Sequence, residues 1–364
     1  MLMVFDNIVF DLQQAGGVSR FWSNIIEPYN NADNVLFIEH NGRGGNIYRR
    51  SQSLARTIRD HRLPIQFSRY INFSQEFFNK PYVFHSSYFR INTAPNCVNV
   101  TTVHDLFYEK FGNGLGALLH LRQKSAALRK SDYIVCVSEH TRKELLHYYP
   151  FCSSKRVVVI SNGVNGFYPY DVNSGIFKRV NYDNSAPYFL YVGKRSSRFK
   201  GFNLVYDALD LLEGELRCIV VGEPFSKAEL AEIHERGHEK IILNVGNVSD
   251  PELNDLYSQA KFFFFPSIYE GFGIPPLEAM LSGCPVLASN RSSVPEVVGD
   301  AGILFDPSDL ETLKSGLSLV LQEDIRVNLI ALGFERAMKF SWKSVVKQYS
   351  ELYIELMLSA PELT

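Results

Sequence analysis

Two glutamates, a cation-rich turn and a histidine–aspartate pair are the residues best placed to do chemistry. Glu270 and Glu278 stand with seven residues between them in the stretch Pro266-Ser267-Ile268-Tyr269-Glu270-Gly271-Phe272-Gly273-Ile274-Pro275-Pro276-Leu277-Glu278-Ala279-Met280. Taken singly, Glu278 reads as an acid complementing a helix start and Glu270 as a solvated loop acid. Together they bracket a site of phosphate size at a helix N-terminus, where free N–H groups and the helix dipole favour an anion. A second cluster, Lys194, Arg195, Arg198 and Lys200, places four cations within seven residues directly after an apolar run. Such a cluster is usually a solvated face, but in a strand–helix loop it is a better anion site than most. His104-Asp105 follows the run Val100-Thr101-Thr102-Val103. A histidine there is usually structural, and the aspartate could hold or charge the ring.

The elements that must position these residues are legible. Phe262-Phe263-Phe264-Phe265 is a short, wholly apolar run, as expected of a strand buried on both faces. Pro275 and Pro276 suit the first turn of a helix, with Glu278 also in that turn and Gly283 as the stop. Strand-like runs at 4–10, 35–38, 82–85, 98–103, 133–137 and 157–160 alternate with amphipathic segments. A second set follows at 188–192, 216–221, 240–245, 261–265, 285–288 and 302–305. This alternation predicts an α/β protein of two parallel-sheet, Rossmann-like domains. The break is expected in the polar segment Asn165–Pro187, giving domains 1–168 and 169–340.

The Glu270–Glu278 segment, its Phe272-Gly273-Ile274-Pro275-Pro276 core and the following Gly283-Cys284-Pro285-Val286 resemble the E-x7-E signature of retaining glycosyltransferases of the GT4 family, which have the GT-B fold. The similarity extends over nearly the whole chain and is strongest from Gly193 to Pro307. It implies two Rossmann-like domains facing a central cleft, with a C-terminal helix, 341–364, crossing back onto the first. It implies catalytic roles for Glu270, His104 and Lys200. It further implies donor binding by Gly16, Gly17, Gly193, Lys200, Gly246, Val248, Phe272, Gly273, Ile274 and Glu278, with the pyrophosphate cation being either Lys194 or Arg195. Without the resemblance, Gly16-Gly17 is an ordinary strand–helix turn. The implied co-substrate is a nucleotide-diphosphate sugar, with no cofactor and no metal. The acceptor is a glycan or a lipid-linked molecule. The Gly193-Lys194-Arg195 and Gly16-Gly17-Val18-Ser19-Arg20 loops look most like those of bacterial surface-polysaccharide mannosyltransferases, which points to GDP-mannose.

Composition sets bounds. The chain has 364 residues, enough for two full cores, and a net charge of −2 argues against a general nucleic-acid binder. Five dispersed cysteines without C-x-x-C spacing suit a reducing cytoplasm. No basic segment precedes the first apolar run, so a signal peptide is not expected, nor is a membrane span. From Gly42 to Tyr70 the chain carries Arg43, Arg49, Arg50, Arg56, Arg59, Arg62 and Arg69 with Asp60 as the sole acid, followed by Phe73, Phe77 and Phe78. This reads either as a solvated face or as a basic, amphipathic surface for peripheral contact with anionic lipid. His234-Glu235-Arg236-Gly237-His238 matches H-E-x-x-H, which supplies a rival reading as a zinc-dependent hydrolase, although Gly237 reads as a helix stop. A non-catalytic nucleotide-sugar-binding module is the third reading.

Overall fold

The computed structural model describes residues 2–40, 45–60, 63–164, 166–167, 174–183 and 186–359. The chain forms two compact units, Met1–Gly163 with Trp342–Thr364, and Val164–Ser341. The change of unit thus falls ahead of the 168/169 boundary read from sequence. Of the segment expected to form the break, residues 165, 168–173 and 184–185 lie outside the described residues, and part of the remainder is the short helix Ile176–Arg179, with Ile176 and Phe177 buried.

The first unit is built on a seven-stranded parallel sheet of order β3-β2-β1-β4-β5-β6-β7. Its strands are β1 (Met3–Asp6), β2 (Val35–Glu39), β3 (Thr57–Arg59), β4 (Tyr82–Ser86), β5 (Cys97–Val103), β6 (Tyr133–Cys136) and β7 (Arg156–Val159). Its helices are α1 (Val9–Leu12), α2 (Gly17–Ile26), α3 (Ile47–Arg50), α4 (Ile65–Ser68), α5 (Phe107–Phe111), α6 (Gly114–Lys130) and α7 (Glu139–Tyr148). The 4–10 run does not continue as one strand. It leaves the sheet after Asp6, and the chain turns into α1. At the point of departure Arg90 pairs with the Asp6 carboxylate at 3.0 Å and Ser86 donates to it at 2.6 Å. Both partners are buried, and Arg90 also pairs with Asp60 at 3.1 Å.

The second unit holds a six-stranded parallel sheet of order β10-β9-β8-β11-β12-β13. Its strands are β8 (Tyr188–Val192), β9 (Arg217–Val221), β10 (Ile242–Gly246), β11 (Phe263–Phe265), β12 (Val286–Ser289) and β13 (Ile303–Phe305). Its helices are α8 (Ile176–Arg179), α9 (Asn203–Leu211), α10 (Lys227–Glu235), α11 (Asp250–Gln259), α12 (Ile274–Leu281), α13 (Val294–Val298), α14 (Leu310–Val320) and α15 (Glu323–Met338). Phe263, Phe264 and Phe265 are buried on both faces of the sheet, as their uninterrupted apolar run requires. The last helix, α16 (Trp342–Ser359), belongs to the first unit. Its Tyr353 hydroxyl lies 2.6 Å from His85 Nδ1, and the other ring nitrogen lies 3.0 Å from the Thr102 hydroxyl. Burial lowers the pKa of His85 to about 3, with His104 acting in the same direction, so the ring is neutral at pH 7 and serves the core.

The arginine-rich stretch is not one amphipathic surface. It is divided among α3, β3 and α4. Arg49 is buried in a pair with Glu39, and Phe73 is a core residue with Phe77 packed against it. Arg43 and Arg62 lie outside the described residues. Among the described residues no helix is long and apolar enough to cross a membrane.

Candidate active site

In an open parallel sheet, ligands collect beyond the carboxyl ends of the strands where the strand order reverses. In the second sheet that point lies between β8 and β11. The turn after β8 carries Lys200, and the turn after β11 carries Glu270. Lys200 Nζ lies 2.6 Å from Glu270 Oε1, with the lysine side chain 30% exposed and the glutamate 14%. The Ser267 hydroxyl donates to the same carboxylate oxygen at 2.5 Å.

The two turns are locked together by backbone. Ile268 N–H donates to the Phe199 carbonyl at 2.7 Å. Gly201 has φ +66, and a Cβ there would stand 2.1 Å from the Pro266 carbonyl oxygen, so glycine alone allows this approach. The loop after β12 supports Glu270 from the other side. Ser292 accepts from Glu270 N–H at 3.1 Å and donates to its carbonyl at 2.5 Å, while the Ser293 hydroxyl reaches the Glu270 and Phe272 carbonyls at 2.9 and 2.8 Å. Ser292 holds φ +59, an uncommon conformation for a residue with a side chain. Sequence reasoning singled out neither serine. Ser292 and Ser293, adjacent small donors just past a buried strand, were the available signal.

Of the two candidate cations after Gly193, Arg195 is committed elsewhere. Its guanidinium donates to Glu229 at 2.8 Å and to the Glu223 carbonyl, and it lies over the Phe202 and Phe225 rings at 5.2 and 4.7 Å. Its side chain is 1% exposed, whereas Lys194 is exposed. Glu278 is buried in the second turn of α12, not in the first as read from sequence, so dipole complementarity at the helix start does not account for it. At that start Gly273 has φ +98, and Pro275 and Pro276 carry no N–H. The donors left there are those of Gly273 and Ile274. Phe272 is buried edge-on to Phe340. Gly246 ends β10 with its N–H on Asn244 Oδ1 at 2.7 Å, and Val248 is half-buried.

The first sheet reverses between β1 and β4, and a cavity of about 270 Å³ opens there. His104, Asp105, His120, Lys124, Arg69 and Tyr108 are among its lining residues. His104 packs edge-on to Phe21 at 4.8 Å. Burial lowers its pKa to about 4, aided by Lys124 and opposed by Asp105, so the ring is neutral at pH 7. Asp105 does not charge it. That carboxylate caps the following turn through Phe107 N–H at 3.0 Å. His120, which sequence reasoning missed, lies 2.9 Å from the Tyr88 hydroxyl, and its pKa is also lowered to about 4, chiefly by burial. Lys124, missed as well, is fully buried and pairs with Glu109 at 2.9 Å while donating to the Asp105 carbonyl at 3.1 Å. The signal was present: Ala117, His120, Lys124 and Ala127 recur at helical spacing on the buried stripe of α6. Gly16 and Gly17 begin α2 beside this cavity, with open space where a Gly17 side chain would stand.

The H-E-x-x-H match does not build a metal site. α10 ends at Glu235, and Gly237 at φ +69 turns the chain. His234 pairs with Glu239 at 2.5 Å on the surface, while His238 is buried against Asp210 at 2.8 Å. The two rings therefore serve different partners, and the zinc-hydrolase reading fails on its own residues.

Each of the two parallel sheets thus carries candidate residues at its strand-order reversal, as Rossmann-like domains do. Residues 15–165 match Glycosyltransferase Family 4 and residues 174–334 match Glycosyl transferases group 1. The chain belongs to this glycosyltransferase family and has the GT-B fold. O-antigen chain mannosyltransferase B of Escherichia coli is 32% identical over 235 residues, covering 62% of this chain and 61% of that one. Serotype-specific mannosyltransferase WbdA of Escherichia coli is 29% identical over 252 residues, covering 66% and 31%. The chain therefore matches less than two thirds of the length of these relatives. Sucrose-phosphate synthase from Thermosynechococcus elongatus superposes with a TM-score of 0.75 over 99% of this chain and 100% of that one, at 18% identity. Anabaena HepE in complex with UDP and glucose gives 0.67 over 97% and 99%, at 17% identity. At that identity both speak for the fold alone.

Proposed function

We propose that this protein is a retaining hexosyltransferase that takes a nucleotide-diphosphate sugar, with GDP-mannose as the favoured donor, and a glycan or lipid-linked acceptor in cell-surface polysaccharide synthesis. The observation that carries the reading is the Lys200–Glu270 pair at the β8/β11 reversal. A donor diphosphate would draw Lys200 away from Glu270, and the exposed Lys194 would add the second positive charge. Cations aimed at the leaving diphosphate stabilise charge where it develops, which is usually the largest catalytic contribution. Glu270, released from the lysine but still held by Ser267, faces the positive sugar centre. Glu278 is assigned to the ribose hydroxyls, Gly246 and Val248 to the base, and the N–H groups of Gly273 and Ile274 to the diphosphate. Gly17 is assigned to close backbone approach by the substrate. The reading assigns no metal and no cofactor.

The acceptor is assigned to the cavity of the first unit, where neutral His104 offers one nitrogen as donor and one as acceptor to a sugar hydroxyl. The mannosyltransferase relatives support the donor assignment. Five free cysteines support a cytoplasmic location. Screening GDP-, UDP- and ADP-sugars by thermal shift tests the donor, because a ligand at one hundred times its Kd stabilises by about 2.7 kcal/mol. A shift with UDP-sugars alone would replace GDP-mannose.

A further inference from the structure

Helix α6 is built the wrong way round for a helix facing water. Its buried residues include His120 and Lys124, while Leu115, Leu118 and Leu119 are 80%, 45% and 50% exposed. The spacing 115, 118, 119, 122 puts the three leucines on one face with Arg122 a turn beyond them. Arg122, Arg129 and Lys130 are all exposed, and the whole helix contains no acid. Glu109, on the neighbouring α5, is already paired with Lys124, and Lys110 pairs with Glu144 of α7.

The geometry points to this outer face of α6 as a docking surface for an anionic lipid bilayer, with the leucines entering the acyl boundary and the cations meeting phosphate head groups. Charge selects that occupant. A second copy of the chain would bring another acid-free helix against this one, whereas anionic head groups complement it. The surface is distinct from the arginine-rich stretch, whose aromatic residues Phe73 and Phe77 pack into or against the core. It rests on the proposed function in one respect only: it sets the acceptor cavity, lined from inside by the same helix, beside the membrane that would carry a lipid-linked acceptor.

The test is flotation of the full-length protein with vesicles of phosphatidylcholine, with and without phosphatidylglycerol, at low and high salt. The wild type is expected to float with the anionic vesicles and to be released by salt. Combined Leu115→Ser, Leu118→Ser and Leu119→Ser should weaken binding at least about tenfold, and combined Arg122→Glu and Lys130→Glu should do the same, with unchanged thermal midpoints. Equal binding to neutral vesicles, binding that survives either variant, or a leucine-dependent dimer in the absence of lipid would each overturn the proposal. Binding without sugar transfer by the wild type would leave the surface standing and remove the enzymatic reading instead.

Discussion

Lys200 Nζ and Glu270 Oε1 are 2.6 Å apart although 70 residues separate them in the chain. Each sits on the turn following one of the two central strands, so strand order and not sequence proximity makes the pair. The carboxylate is further held by Ser267, and its backbone by Ser292 and Ser293. In the proposed function this supported, partly exposed pair exchanges partners with the donor phosphate.

Lys194 and Arg195 should separate cleanly. Lys194→Ala is expected to raise the KM for the donor and leave stability unchanged, because the side chain is exposed. Arg195→Ala is expected to destabilise the second unit by about 2–4 kcal/mol, since it strips Glu229 of its cation and removes stacking on Phe202 and Phe225. Urea unfolding alongside donor kinetics reads both effects. A stable Arg195→Ala protein with a raised donor KM would reverse the assignment.

Gly201→Ala is expected to disable the site by geometry. The new Cβ would meet the Pro266 carbonyl, and its φ of +66 already costs a non-glycine residue about 1 kcal/mol. The turn bearing Lys200 must then move off the turn bearing Glu270. Transfer should fall while the protein remains folded, as judged by circular dichroism; an unchanged rate would show that the close approach is dispensable.

Lys124→Met should cost about 3–5 kcal/mol, because it leaves the buried Glu109 without its cation. Adding Glu109→Gln should recover part of that loss, although Tyr149 still donates to this position. A double-mutant cycle in urea measures the coupling. Simple additivity would mean that the pair contributes nothing.

Stability should fall as pH drops below about 6.5, the ordinary histidine value. The folded-state pKa values of His85, His104 and His120 are lowered to about 3, 4 and 4, so between those values and 6.5 the unfolded chain binds more protons. Asp6, raised by burial against the pull of Arg90, works in the opposite sense at lower pH. Unfolding free energies from pH 7 to 4.5 check the sign, and His120→Gln should flatten the slope. A flat wild-type profile would contradict the neutral assignments.

What could be read in advance was governed by local pattern. The four-phenylalanine run and the two prolines place β11 and α12 because burial on both faces and a missing N–H leave direct marks in sequence. β3 leaves none, being a three-residue edge strand with both ends exposed. The burial of Arg195 was closed to sequence because its partner, Glu229, lies 34 residues on. His120 and Lys124 were hidden for a related reason: their partners, Tyr88 and Glu109, come from other elements, and a polar residue on a buried stripe looks like an interruption of it. Glu278 was placed a turn too early because the proline pair marks a helix start only to within a residue or two.

Lys200 and Glu270 are proposed to form the donor site of a sugar transferase. The most direct measurement is release of GDP from GDP-mannose by the wild type, Lys200→Ala and Glu270→Ala proteins, with thermal midpoints recorded for each. The expected result is turnover by the wild type and a loss of at least about one hundredfold in each variant, with folding preserved because a partly exposed pair contributes little to stability. Wild-type rates in either folded variant would contradict it.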